Sequence, residues 1–196
     1  MIAIVDYGAG NLVSVKKAFE WLGQQCAITS DPADVQRASK VVLPGVGHFS
    51  STCSLGRSGL WQAISQAISR KIPFLGICVG MQWMFDGSEE SPETPGLGLF
   101  SGRCARFPQN VKSPHVGWNQ LEIATTSRLF HGLPASPFVY FTHSYYAPLN
   151  GTTVASCDYG GSFSAAIEQD FLFGVQFHPE KSGETGLRLL ANFCAI

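Results

Sequence analysis

Charge is the scarcest property of this chain. Of 196 residues, 13 are Lys or Arg and 14 are Asp or Glu, which makes 14% charged and a net charge of −1, against about 25% charged in an average protein. A dedicated nucleic-acid binder needs a basic excess to replace the counterions of the phosphate backbone, and none is present. A disordered acidic or basic tail is excluded as well, because 45% of the residues are hydrophobic and such tails combine low hydrophobicity with high net charge. So little surface charge fits coverage by a partner, a ligand cleft, or simply an uncharged polar surface. The six cysteines (Cys26, Cys53, Cys78, Cys104, Cys157, Cys194) include no C-x-x-C pair, so neither zinc-ribbon spacing nor a redox dithiol is present and no metal site is expected. Long apolar runs are missing too. The longest, Ile72 to Phe85, is broken by Pro73, Gly76, Gly80 and Gln82 and falls short of the roughly 20 residues that span a bilayer. Met1-Ile-Ala-Ile-Val-Asp6 has no basic stretch, so no signal peptide is expected. These absences predict a soluble, cytoplasmic protein with reduced thiols, without membrane or nucleic-acid partners. Its length predicts a single domain over residues 1–196, at roughly 100–200 residues per domain.

What is present is alternation. Ile2–Val5 and Lys40–Leu43 are short continuous apolar runs, as strands buried on both faces require. Between them, Leu12, Val15, Ala18, Phe19 and Leu22 recur at helical spacing after Asn11, a candidate N-cap, and before Gly23. Gln25–Thr29 reads as a strand, Asp31-Pro32 as a helix start, Leu60–Arg70 as a helix and Pro73–Ile77 as a strand. Parallel βαβ units follow from this order, and ligands in such sheets bind beyond the C-terminal strand ends. Ser88–Gly96 reads as a polar surface loop. Cys104–Phe107, Gly117–Ile123, Phe138–Thr142, Thr152–Ala155, Phe163–Glu168 and Phe171–Phe177 are strand candidates separated by turns, so mixed or antiparallel pairing is expected there. Gly183–Phe193 reads as a closing helix.

Three motifs carry chemistry. Gly76-Ile77-Cys78-Val79-Gly80 has the form of a nucleophile elbow at a strand-to-helix junction, where glycines clear space around a strained turn. A helix start and a histidine partner lower a thiol's pKa from about 8.5. A buried structural cysteine between glycines would look the same. In Gln176-Phe177-His178-Pro179-Glu180, an extended backbone would put His178 and Glu180 on one side, as a base and its orienter. A surface turn with two polar residues is the alternative. Pro44-Gly45-Val46-Gly47 permits close backbone approach and unusual φ/ψ. It could offer an N–H to an oxyanion alongside that of Val79, or be an ordinary βα turn.

Taken together and in this order, P-G-x-G, G-x-C-x-G-x-Q and H-P-E resemble the class I (triad) glutamine amidotransferases over essentially the whole chain. The resemblance implies a flavodoxin-like α/β fold, with a mixed, mostly parallel central sheet and helices on both faces. It implies Cys78 as nucleophile, His178 as acid–base and Glu180 as orienter. Val46, Gly47 and Val79 would form the oxyanion hole. Glutamine would be bound by Gly45, Gly47, Gln82, Ser144 and Tyr145, with no cofactor. Asp6–Leu12, Pro114–Asn119, Thr142–Tyr146 and Gln176–Ser182 narrow the likeness to the branch that passes ammonia to a (β/α)8-barrel cyclase subunit in histidine biosynthesis. There Trp118, Asn119 and Lys181 would face the partner. Val79 replaces a more usual leucine and His48 a small residue, but the oxyanion donors are backbone groups. A glutaminase of another synthase, such as pyridoxal phosphate synthase, is disfavoured by Lys181-Ser182 and by the Asp6–Leu12 start. A flavodoxin-like binding protein using the Gly8–Gly10 turn would not need Cys78 or His178. A cysteine peptidase would need room for a peptide groove. His48, His115 and His131 are expected in loops, His143 near the site, and the other five cysteines in packing roles.

Overall fold

In the computed structural model, which describes residues 1–123 and 126–196, the apolar runs become the strands of one central sheet. β1 (Ile2–Val5), α1 (Leu12–Trp21), β2 (Cys26–Thr29), α2 (Pro32–Arg37) and β3 (Lys40–Gly45) come first. A 3-10 turn at Phe49–Thr52 leads into α3 (Cys53–Arg57), α4 (Leu60–Ser69), β4 (Phe74–Cys78) and the single turn α5 (Val79–Gln82). β1 and β4 are buried along their whole length, as their unbroken apolar character requires. Val15, Ala18 and Phe19 form the buried stripe of α1. Asp31 caps α2 as expected, accepting from Ala33 N at 2.8 Å, whereas the Asn11 side chain makes no cap to α1.

The second half supplies β5 (Phe85–Ser88), β6 (Ser91–Pro95), β7 (Phe100–Arg106), β8 (His115–Gln120), β9 (Glu122–Ile123), β10 (Phe138–His143) and β11 (Tyr145–Tyr146). β12 (Thr153–Asp158), β13 (Ser162–Gln169), β14 (Leu172–Val175) and α6 (Gly183–Ala195) complete it. Ser88–Gly96 is not the loop its polarity suggested: β6 pairs antiparallel with β5. β6 lies at the edge of the small sheet β11-β7-β5-β6, where Pro92 and Pro95 cost no ladder bond on the open side.

The main sheet runs β2-β1-β3-β4-β14-β13-β12-β9. Its first five strands are parallel and its last three antiparallel, so the mixed, mostly parallel sheet expected from the sequence is present. α1 packs with α6 and α2 with α4, and these helices cover the two faces. β8 and β10 form a separate two-stranded ribbon.

The sheet order decides where function can sit. β3, β4 and β14 are neighbours, with Gly45 beside Cys78 and Val175 beside Ile77. Three segments far apart in sequence therefore leave the sheet side by side at their C-terminal ends. Among the described residues, no helix is long and apolar enough to cross a membrane.

Candidate active site

Cys78 ends β4 with φ 56° and ψ −110°, a region that costs a residue with a Cβ about 1–3 kcal/mol. The glycines around it are there for space. A Cβ on Gly80 would lie 1.8 Å from the Leu43 carbonyl oxygen, and one on Gly45 2.5 Å from the Tyr7 hydroxyl and 2.7 Å from Val79 Cβ. Sharp reversal thus lets α5 sit directly on the ends of β3 and β4, with the Cys78 side chain at its start. Cys78 is buried and lines a cleft of about 410 Å³ with Val46, Gly47, Val79, Gln82 and His178.

His178 reaches the same cleft from the end of β14. Its Nδ1 lies 2.9 Å from Glu180 Oε1, which leaves Nε2 for the sulfur. Pro179–Lys181 is a 3-10 turn, so this pair is made by a tight turn and not by the strand alternation its spacing suggested. Ser182 fixes the turn, donating to the His178 carbonyl at 2.7 Å and accepting from Tyr140 N at 3.0 Å. Both side chains are almost fully buried, and Glu180 Oε2 has no partner among the described residues. A carboxylate held this way requires a neighbouring positive charge. Burial works against the imidazolium. The charge and hydrogen bond of Cys78, then those of Glu180, overcome it and push His178 up to about 10.

The remaining predicted residues fall in two places. Val46 and Gly47, the latter at φ +89°, line the cleft, and among the described residues neither N–H has a hydrogen-bond partner within the chain. Gln82, Ser144, Tyr145 and Lys181 line it too, while Gly45 lies behind as the last residue of β3. The Tyr145 carbonyl is occupied by Gln82 Nε2 and His143 Nδ1, each at 2.9 Å. Trp118 is 56% exposed on the ribbon. Asn119, next along β8, turns to the other face and donates to the Asp158 carbonyl. Lys181 Nζ sits 5.8 Å from the Tyr140 ring centroid and connects the cleft to the ribbon.

Some residues were missed. His115 is not in a loop: it opens β8, buried, with its ring 4.7 Å from Phe141 and 3.9 Å from Tyr159 by centroid. Cys53 is exposed and not a packing residue. Gln176 is fully buried and donates from Nε2 to Cys78 Sγ at 3.6 Å. The signal for it was available, since it lies two residues before His178 in an extended run. Glu90 also lines the cleft and accepts from Phe49 N at 2.7 Å, but nothing in its polar segment pointed there.

Comparison with known proteins shows what the chain as a whole resembles. Residues 3–196 match the family model described as glutamine amidotransferase class-I. The imidazole glycerol phosphate synthase subunit HisH of Methanothermobacter thermautotrophicus is 49% identical, over 100% of this chain and 98% of its own. That of Moorella thermoacetica is 45% identical, over 98% and 93%. A crystal structure of a glutamine amidotransferase superposes with a TM-score of 0.78 at 18% identity, over 100% of this chain and 98% of that one. PurLQS from Thermotoga maritima does so with 0.76 at 19%, over 99% and 97%. These two structures bear on the fold alone.

Proposed function

Because the chain belongs to the class-I glutamine amidotransferase family, we propose that Cys78, His178 and Glu180 are its catalytic triad and that residues 1–196 work as one amidotransferase domain. The protein is a HisH-type glutaminase subunit of imidazole glycerol phosphate synthase. One observation carries the residue assignment: the ends of β3, β4 and β14 bring a strained thiol, an imidazole and a glycine loop into a single cleft, with a carboxylate behind the imidazole.

The chemistry follows from that placement. The Cys78 sulfur attacks the side-chain amide carbon of glutamine. The carbonyl oxygen becomes an oxyanion facing the Val46, Gly47 and Val79 N–H groups. His178, protonated beside the Cys78 sulfur and oriented by Glu180, gives its proton to the leaving nitrogen. Ammonia departs and a γ-glutamyl thioester remains. His178 then takes a proton from water, whose oxygen attacks the thioester carbon, and glutamate leaves as the sulfur is freed. Gln82 meets the substrate with Oε1, since its Nε2 is taken by Tyr145 and Gln176.

The partner is a (β/α)8-barrel cyclase. The outer face of the β8–β10 ribbon supports this reading. Val116, Trp118 and Phe138 are each more than half exposed there, an apolar patch of the kind that marks an interaction surface. Lys181 lies between that patch and the cleft. Ammonia leaving there would enter the partner before being protonated to unreactive ammonium.

The test uses Cys78→Ala in complex with the cyclase. Glutamine-dependent synthesis should be abolished while added ammonium salt still supports it. Loss of both activities would make the cysteine structural and end the proposal.

A further inference from the structure

We propose that Gln176 is a positioning residue for the nucleophile, its side-chain amide locked by its neighbours to donate to Cys78 Sγ. This deepens the glutaminase reading and rests on it. The lock begins at a backbone carbonyl. Tyr145 O can only accept, so the Gln82 atom 2.9 Å from it is Nε2. That same Nε2 is 3.0 Å from the Gln176 side chain, so the Gln176 atom there is the acceptor Oε1. Gln176 Nε2 is then the atom left facing the sulfur, at 3.6 Å. No amide in the chain can flip without setting two donors or two acceptors against each other.

The carbonyl that starts the chain is itself held from behind. His143 Nδ1 donates to it at 2.9 Å, so His143 Nε2 is an acceptor and His115 Nδ1, 3.1 Å away, is its donor. His115 Nε2 then accepts from Asn119 Nδ2 at 3.3 Å, and the Asn119 amide is fixed by the Asp158 carbonyl at 3.1 Å and Gln120 N at 2.8 Å. Burial pushes His115 down to about 4 and His143 down to about 3. Both therefore stay neutral at physiological pH and keep these tautomers. Two donor runs thus meet at the Tyr145 carbonyl: one comes from β8 through Asn119, His115 and His143, and the other starts at Gln82, which donates both to that carbonyl and to Gln176, whose amide donates to the sulfur.

The consequence is chemical. The sulfur sits between the Thr142 carbonyl, which it reaches as a thiol at 3.8 Å, and the Gln176 N–H. An acceptor favours the thiol and a donor favours the thiolate. Gln176 therefore shifts the balance toward the attacking form and holds it in place. Other titratable groups around the sulfur are Tyr7, Cys104, His143 and His178, with Glu90 and Lys181 on the cleft wall.

The test is the pH dependence of Cys78 alkylation by iodoacetamide, with kcat and KM for glutamine measured in the cyclase complex. Gln176→Glu keeps the acceptor for Gln82 and replaces the donor by a carboxylate. Gln176→Met keeps the volume and removes the donor without adding charge. The alkylation midpoint should move up by about one pH unit in Gln176→Met and further in Gln176→Glu. One unit is about a tenfold lower thiolate population on the acid side. In Gln176→Met, kcat should fall about tenfold with KM within about twofold of the parent. A folded Gln176→Met whose alkylation profile superimposes on the parent overturns the proposal. So does a rise in KM alone, which would mean that Gln176 serves only to hold Gln82. If Gln176→Glu fails to fold, Gln176→Met decides. A parent that alkylates normally but releases no ammonia from glutamine would instead overturn the glutaminase assignment.

Discussion

Cys78 is held in a backbone conformation that its own side chain disfavours, and the surrounding glycines keep it there. Replacing Cys by Gly normally loses more stability than replacing it by Ala, by roughly 0.5–1 kcal/mol. At φ 56° the order should reverse, because only glycine relieves the strain. Cys78→Gly is expected to melt at or above Cys78→Ala, and a clearly lower melting temperature would mean that the bend is unstrained. His178 gives the second prediction at this scale. Its folded-state pKa is raised to about 10, above the roughly 6.5 of an unfolded chain. Its protonation therefore adds stability in full below about pH 6.5, and that contribution is lost as pH rises through about 10. In the free enzyme, whose ionisations kcat/KM reports, the imidazolium persists over the same range. The kcat/KM for glutamine should hold until an alkaline limb near pH 10. Glu180→Gln should bring that limb down by a unit or more and lower kcat by roughly 10²–10⁴-fold. An unmoved limb would show that Glu180 does not support the imidazolium.

At the scale of elements, the elbow works because α5 is pressed against β3. Gly80→Ala puts a Cβ against the Leu43 carbonyl oxygen at 1.8 Å, and backbone cannot yield as a side chain does. A loss toward the upper end of about 1–3 kcal/mol is expected in denaturant unfolding. Gly56→Ala in α3 meets nothing within 4 Å and should gain about 0.5–1 kcal/mol in the same measurement. Equal effects at the two positions would remove close approach as the reason for Gly80. The buried strands β1, β3 and β4 were legible because apolar runs between turn residues have few other uses. β6 was not, since its stability is a backbone ladder that polar side chains leave unmarked. The cap expected at Asn11 failed for a related reason: the residue type permits a cap, but the geometry of the Gly8–Gly10 turn decides whether it forms. The pairing of His178 with Glu180 was foreseen, but by the wrong local structure, because Pro179 begins a 3-10 turn.

At the scale of the molecule, the motif residues could be named from sequence, but their meeting depends on β14 inserting beside β4, which no local pattern encodes. Of the buried pair His115–His143, only His115 was hidden, because a histidine in a strand reads as a polar loop residue until the sheet closes over it; His143 was expected near the site and lines the cleft. The pair leaves a mark on global stability. Burial depresses both pKa values, to about 4 for His115 and about 3 for His143, below the roughly 6.5 of the unfolded chain. Between those limits the unfolded chain binds more protons than the folded one, so stability falls as pH falls from about 6.5 toward 4 and below. Carboxylates contribute acid sensitivity as well, and a difference between two proteins cancels them. H115F preserves the stack against Phe141 and Tyr159, and H143Q preserves a donor toward the Tyr145 carbonyl. The double variant should be less stable than the parent at pH 7.5, having broken the donor series. It should also lose less of its melting temperature between pH 7.5 and pH 4.5. Parallel melting curves across that range would show that the two imidazoles take up protons as readily in the folded protein as out of it, and the donor series behind Tyr145 would then lack its fixed tautomers.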